Sequence, residues 1–151
     1  MTPIHAFLNG TGRDDRGRRI AEILAMDDAA LEFTHDYIQW LFPLATPSMA
    51  QPGSPVLAAG DIPAIRADPL AQANLARATV LMSGFYARSQ DWLNAYDHNH
   101  LRITRIVTSL KLLVGRDAAA SFLASIEDRC RAAGDPVNAR SRRYWREALD
   151  G

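Results

Sequence analysis

HNHLRITRIVTSLKLL, residues His98 to Leu113, decides the fold class. Its apolar positions Ile103, Ile106, Val107, Leu110 and Leu113, continued by Val114, recur in steps of three and four. That spacing lays one apolar face along an α-helix and fits no strand. Asp97 or Asn99 starts the helix and Gly115 ends it. Downstream, Asp117 reads as the cap of a second helix carrying Phe122, Leu123, Ile126 and Cys130. Gly134 and Pro136 break it, and a last helix carries Tyr144, Trp145 and Leu149.

Upstream, a loop holds Trp92 and Tyr96. Before it, Asp68 with Pro69 opens a helix of about 20 residues through Leu81, Met82, Phe85 and Tyr86. Asp61 with Pro63 makes a similar start, and Ala45 to Gly60, rich in proline, glycine and serine, reads as a long surface connection. One helix is expected from Asp27 or Asp28 to Phe42, ended by Pro43. It is apolar on two stripes and so belongs near the centre of a bundle. A short helix with Ile20, Ile23 and Leu24 precedes it, after a glycine-rich loop from Asn9 to Gly17. The expectation is an all-α fold, a single compact helical bundle of five to seven helices forming one domain over residues 1–151.

Composition narrows the function classes. Formal net charge is zero, so the whole-molecule field favours neither nucleic acid nor anionic membrane. Lys111 is the only lysine, and the arginine abundance reads as a GC-rich coding sequence rather than a functional signal. Cys130 is the lone cysteine, so no intrachain disulfide forms. The first residues, MTPIHAFLNGTGRDDRGRR, lack the pattern of a secretory signal, and no apolar run has membrane-spanning length. A cytoplasmic location is expected.

Two segments hold polar residues on otherwise apolar helices. In the first, Glu32, His35, Asp36 and Gln39 form a narrow polar stripe. In the second, Arg102 and Arg105 lie three apart on one helical face, with His98 and His100 in the first turn. Cations near a helix N-terminus oppose its dipole, so something negative should compensate. Glu32 or Asp36 would do so as a structural lock; a bound anion gripped by two guanidiniums would do so as a function. His98 and His100, with His35 as a third, have weak metal-ligand spacing, and no metal or cofactor is expected. No phosphate loop, nucleophile elbow or catalytic carboxylate pair is found. No catalytic residue is therefore assigned; an enzyme acting on a phosphate or carboxylate substrate, with His35 or His100 as base, stays an alternative.

RAAGDPVNARSRRYWREAL, residues 131–149, reads as helix, turn, helix. Its second part is similar to the recognition helix of mercury-resistance-type regulators, which makes Arg140, Arg142, Arg143 and Arg146 nucleic-acid contacts in a second alternative. An ordinary solvated basic face explains the same residues.

Three segments together resemble the opioid growth factor receptor family: HDYIQWLFPL (His35–Leu44), LMSGFYA (Leu81–Ala87) and HNHLRITRIVTSLKLL (His98–Leu113). FLNGTGRDD near the start and RYWREAL near the end resemble bacterial members, so the resemblance runs from about Phe7 to Leu149. It implies an all-α receptor-type domain. The animal receptor is known for binding methionine-enkephalin and restraining cell proliferation, but the composition here points to a bacterial chain, for which an opioid peptide is not the expected ligand. The leading expectation is a non-enzymatic ligand- or partner-binding domain, taking a small anion or a peptide. Arg102 and Arg105 would grip it, Asn99 and Gln39 would orient it, Tyr37 and Trp40 would wall it, and His100 is a further candidate contact. The same residues serve equally as a packed polar lock that needs no ligand.

Overall fold

The computed structural model describes residues 1–151, which form helices and no strand. Backbone packing divides them into two compact units, Met1–Leu81 and Met82–Gly151. There are nine helical segments, more than the expected five to seven. One addition is a short helix at the start; the other comes from the 28–42 region, which is not one helix.

The first unit opens with α1 (Pro3–Asn9). Thr2 caps it by accepting from the His5 amide, Pro3 presets its first turn, and Gly10 closes it at φ 91, a left-handed conformation that glycine adopts without steric cost. The following arginine-rich loop folds around Asp14, whose carboxylate accepts from the amides of Arg16 and Arg18 at 2.9 and 2.8 Å and from Arg18 Nε at 2.7 Å. α2 (Ile20–Leu24) then buries Ile20 and Ile23.

α3 (Asp28–Phe33), capped by the Asp27 carboxylate, ends at an extended Thr34, and α4 (Ile38–Leu41) begins only after a bend. The expected continuous helix is thus broken. Thr34 is β-branched and a weak helix former. More decisively, the Tyr37 hydroxyl donates to the Leu31 carbonyl at 2.7 Å, satisfying an orphan acceptor of the α3 terminus. Asp36 pins the corner through Arg16 at 2.9 Å and Arg18 at 3.0 Å. The break exposes Phe33 while Tyr37, Ile38, Trp40, Leu41 and Phe42 stay buried.

The 45–60 connection has no regular structure, as expected, but Leu57 is buried and its amide donates to the Leu44 carbonyl at 2.8 Å. α5 (Asp61–Arg66) follows, and α1 packs on both α4 and α5. α6 (Pro69–Arg88) has the expected 20 residues and continues into the second unit. Asp68 caps it, accepting from the amides of Leu70 at 3.0 Å and Ala71 at 3.3 Å.

In the second unit α7 (Asn99–Leu113) is the spine, packed by α8 (Arg116–Ala132) and α9 (Ala139–Asp150). Ile103, Ile106, Val107, Leu110 and Leu113 are all buried, each contributing roughly 1.5–3 kcal/mol. Facing them in the core are Phe122, Leu123, Ile126, Trp145 and Leu149. The α8 cap differs from expectation: Gly115, at φ 149, takes that position without a side-chain bond, and Asp117 lies inside the first turn. There its charge still favours the helix N-terminus. No helix is long and apolar enough to cross a membrane.

Candidate functional site

The sequence-derived candidates fall into a set in each unit. In the first, Tyr37 is fully buried with its hydroxyl on the Leu31 carbonyl, and Trp40 meets Phe7 edge to face with ring centroids 5.3 Å apart. Gln39 is buried on α4, and its Oε1 accepts no hydrogen bond. His35, a candidate base, is exposed.

In the second unit the first turn of α7 is a hydrogen-bonded knot. Asn99 Nδ2 donates to Asp97 Oδ1 at 3.0 Å, and its Oδ1 accepts from the Tyr86 hydroxyl at 3.1 Å. His100 Nε2 lies 2.8 Å from the Trp92 carbonyl; a carbonyl only accepts, so Nε2 carries a proton. The His100 carbonyl in turn accepts from the Trp145 indole at 3.0 Å. The Trp92 indole donates to the carbonyls of Tyr86 and Ser89, both at 3.1 Å. Tyr86 meets Phe85 and Trp92 edge to face at 5.1 and 5.5 Å. Tyr86, Trp92 and Trp145 were not among the candidates, because indoles and a ring nitrogen bonded to main-chain carbonyls leave no pairing signal in a sequence.

Arg102 is buried. Arg105 is half-buried, and burial pulls its guanidinium down to about 10, still cationic at neutral pH. His98 is exposed at the α7 cap and lies 3.7 Å from Asp97.

A cleft of about 560 Å³ lies between α8 and α9. Ala139 lines it, with Cys130 and Trp145 buried beneath, and Arg131, Arg142, Arg143 and Arg146 contribute guanidiniums. Glu127, Asp135 and Glu147 supply carboxylates. Arg146 pairs with Glu127 at 3.2 Å and Arg131 pairs with Asp128. Arg142 donates from Nε to the Val137 carbonyl at 3.0 Å and has no carboxylate partner; Arg143 is exposed and has none either. Arg140 does not line the cleft. It donates to the Tyr144 hydroxyl at 2.9 Å, with its guanidinium 5.7 Å from that ring's centroid. Burial, with Asp135 adding to it, pushes the Cys130 thiol up to about 11.

Residues 16–91 match the family profile described as the opioid growth factor receptor (OGFr) conserved region. The chain belongs to this family. The opioid growth factor receptor of Rattus norvegicus is 38% identical over 98 residues, covering 53% of this chain and 17% of the receptor. The Mus musculus receptor gives the same identity and length, with 15% of its chain covered, and the Homo sapiens receptor likewise with 14%. The chain thus spans less than a fifth of the receptors it matches. The family match takes in His35–Leu44 and Leu81–Ala87 but ends before His98–Leu113 and before the cleft. No solved structure matches the chain.

Proposed function

We propose that this member of the opioid growth factor receptor family is a non-enzymatic binding domain whose grip is the cleft between α8 and α9. The lining carries this reading. Guanidiniums hold anions through paired, charge-assisted hydrogen bonds, and Arg142 and Arg143 have no carboxylate of their own. No histidine, serine or threonine lines the cleft, and its thiol is held protonated. Such a set suits holding a ligand and not activating a nucleophile. The size falls within the range of ligand pockets, about 300–1,000 Å³.

In this reading Asn99 and His100 are a lock and not a grip. Their side chains bond to Tyr86, Asp97 and the Trp92 carbonyl, holding the start of α7. His100 is buried, with its Nε2 proton committed to the Trp92 carbonyl. The receptors' ligands do not carry over, since the matched span omits the cleft.

The test is thermal stability against a panel of inorganic anions, nucleotides and acidic peptides, with wild type, Arg143→Ala and Arg105→Ala. A ligand at about 100 times its Kd adds roughly 2.7 kcal/mol to the folded state. The expected result is a shift in wild type and Arg105→Ala that Arg143→Ala lacks. A shift lost only in Arg105→Ala overturns the assignment to the cleft.

A further inference from the structure

We infer that the α8–α9 cleft takes a small zwitterion of free dipeptide size, its carboxylates on the guanidiniums and its ammonium groups on the lining acids; this rests on the binding reading above. The charges of the cleft fall into two kinds. Arg146 and Glu127 close on each other at 3.2 Å from the two helices, so opposite charges pair here where the fold uses them. Four others stay open. Arg142 and Arg143 have no carboxylate partner, and Asp135 and Glu147, on the same lining, have no cationic one.

The local structure keeps these four apart. Arg143 and Glu147 stand one turn apart on the exposed side of α9 with the arginine first, the order in which such a pair is weaker. Asp135 sits in the turn between the helices at φ 54, and its amide donates to the Cys130 carbonyl at 2.7 Å. Arg142 is tied back by the Val137 carbonyl at 3.0 Å. Asp135 and Arg142 act on the Cys130 thiol with opposite signs, so both charges stand near that residue.

This balance sorts ligands. A purely anionic ligand meets two guanidiniums but binds against the repulsion of Asp135 and Glu147, and a purely cationic one meets the reverse. A nucleic-acid backbone, negative along its whole length, is disfavoured on the same ground. A ligand carrying both signs satisfies all four groups. From Arg143 to Glu147 the rise along α9 is about 6 Å at 1.5 Å per residue. Two extended residues cover that length at about 3.3 Å each. A free dipeptide with one basic and one acidic side chain carries two ammonium groups and two carboxylates over it.

The experiment is isothermal titration calorimetry on the full chain, at low ionic strength, with the free dipeptide Lys-Glu. Two matched probes separate the signs. Acetyl-Gln-Glu keeps both carboxylates without an ammonium, and Lys-Gln-amide keeps both ammonium groups without a carboxylate. The protein variants are Arg143→Gln, Glu147→Gln and, as a surface control, Arg116→Gln, which loses only the exposed pair with Asp150. Arg143 and Glu147 are exposed, so their variants keep the fold, as circular dichroism will verify. The expected result is saturable binding of Lys-Glu, tighter than either matched probe. Either cleft variant should weaken it about fivefold or more, and Arg116→Gln should not change it. Glu147→Gln should leave acetyl-Gln-Glu no weaker, because it removes a repelling charge.

Acetyl-Gln-Glu binding as tightly as Lys-Glu, lost in Arg143→Gln and kept in Glu147→Gln, overturns the zwitterion inference while leaving an anion-binding cleft. Lys-Glu binding indifferent to both cleft variants overturns its placement. No binding by any dipeptide, with a melting shift by phosphate or a nucleotide, overturns this inference alone. Silence from all of these probes overturns the cleft reading with it.

Discussion

The Trp145 indole donates to the His100 main-chain carbonyl at 3.0 Å, and the two rings meet edge to face with centroids 5.9 Å apart. That contact joins the wall of the α8–α9 cleft to the first turn of α7, across 45 residues of sequence. Because His100 also holds the Trp92 carbonyl, one turn of α7 anchors both the 89–97 loop and α9. The lock on α7 thereby sets the geometry of the proposed grip.

Replacing Trp145 tests this connection. Trp145→Phe keeps most of the buried area and removes the indole donor, and should cost about 1–3 kcal/mol in urea unfolding. Trp145→Ala should cost about 3–5 kcal/mol by opening a cavity beside α7. Equal stability of wild type and Trp145→Phe would remove His100–Trp145 from the account of the fold.

Acid should weaken the first unit through Asp68. Burial raises this carboxyl, but hydrogen bonds from His5 at 2.7 Å, the Ala71 amide, Asn9 and the Leu70 amide outweigh it and hold the pKa below its ordinary value. A carboxyl depressed in the folded state contributes stability above its unfolded pKa, about 4, and loses it as pH falls through the folded value. Asp68→Asn, which keeps a capping oxygen, should therefore show a shallower loss of urea midpoint below about pH 4 than wild type. Identical slopes would contradict the assignment.

Cys130 should be chemically silent while the chain is folded. It is buried, and its thiol, pushed up to about 11, holds little thiolate at neutral pH. Alkylation by iodoacetamide, followed by mass, should be slow in buffer and fast in urea. Comparable rates in both would mean that the cleft opens to reagent at Cys130.

What the sequence revealed follows from how local each signal is. The α7 stripe from Ile103 to Leu113 and the Asp68–Pro69 start were legible because periodicity and capping need only near neighbours. α1 carried the same kind of signal in Thr2, Pro3 and Gly10, yet seven residues are too few for periodicity to register. The Thr34–Tyr37 break was not legible. It depends on Tyr37 reaching the Leu31 carbonyl and on Arg16 and Arg18 finding Asp36, and the latter pairs cross a long separation in sequence. Asn99 and His100 stood out as unusual, and Arg142, Arg143 and Arg146 as a basic cluster. Their divergent surroundings, a knot for one set and a cleft for the other, arise only when α8 and α9 pack on α7.

Backbone amide chemical shifts in two-dimensional NMR titrations with inorganic phosphate and a nucleotide test the central claim most directly. The account expects the largest shifts within residues 127–147, on the walls of the cleft, with the start of α7 little changed. Shifts centred on Tyr37–Trp40 or Asn99–Arg105, with α8 and α9 unmoved, would contradict it and make those motif residues the grip.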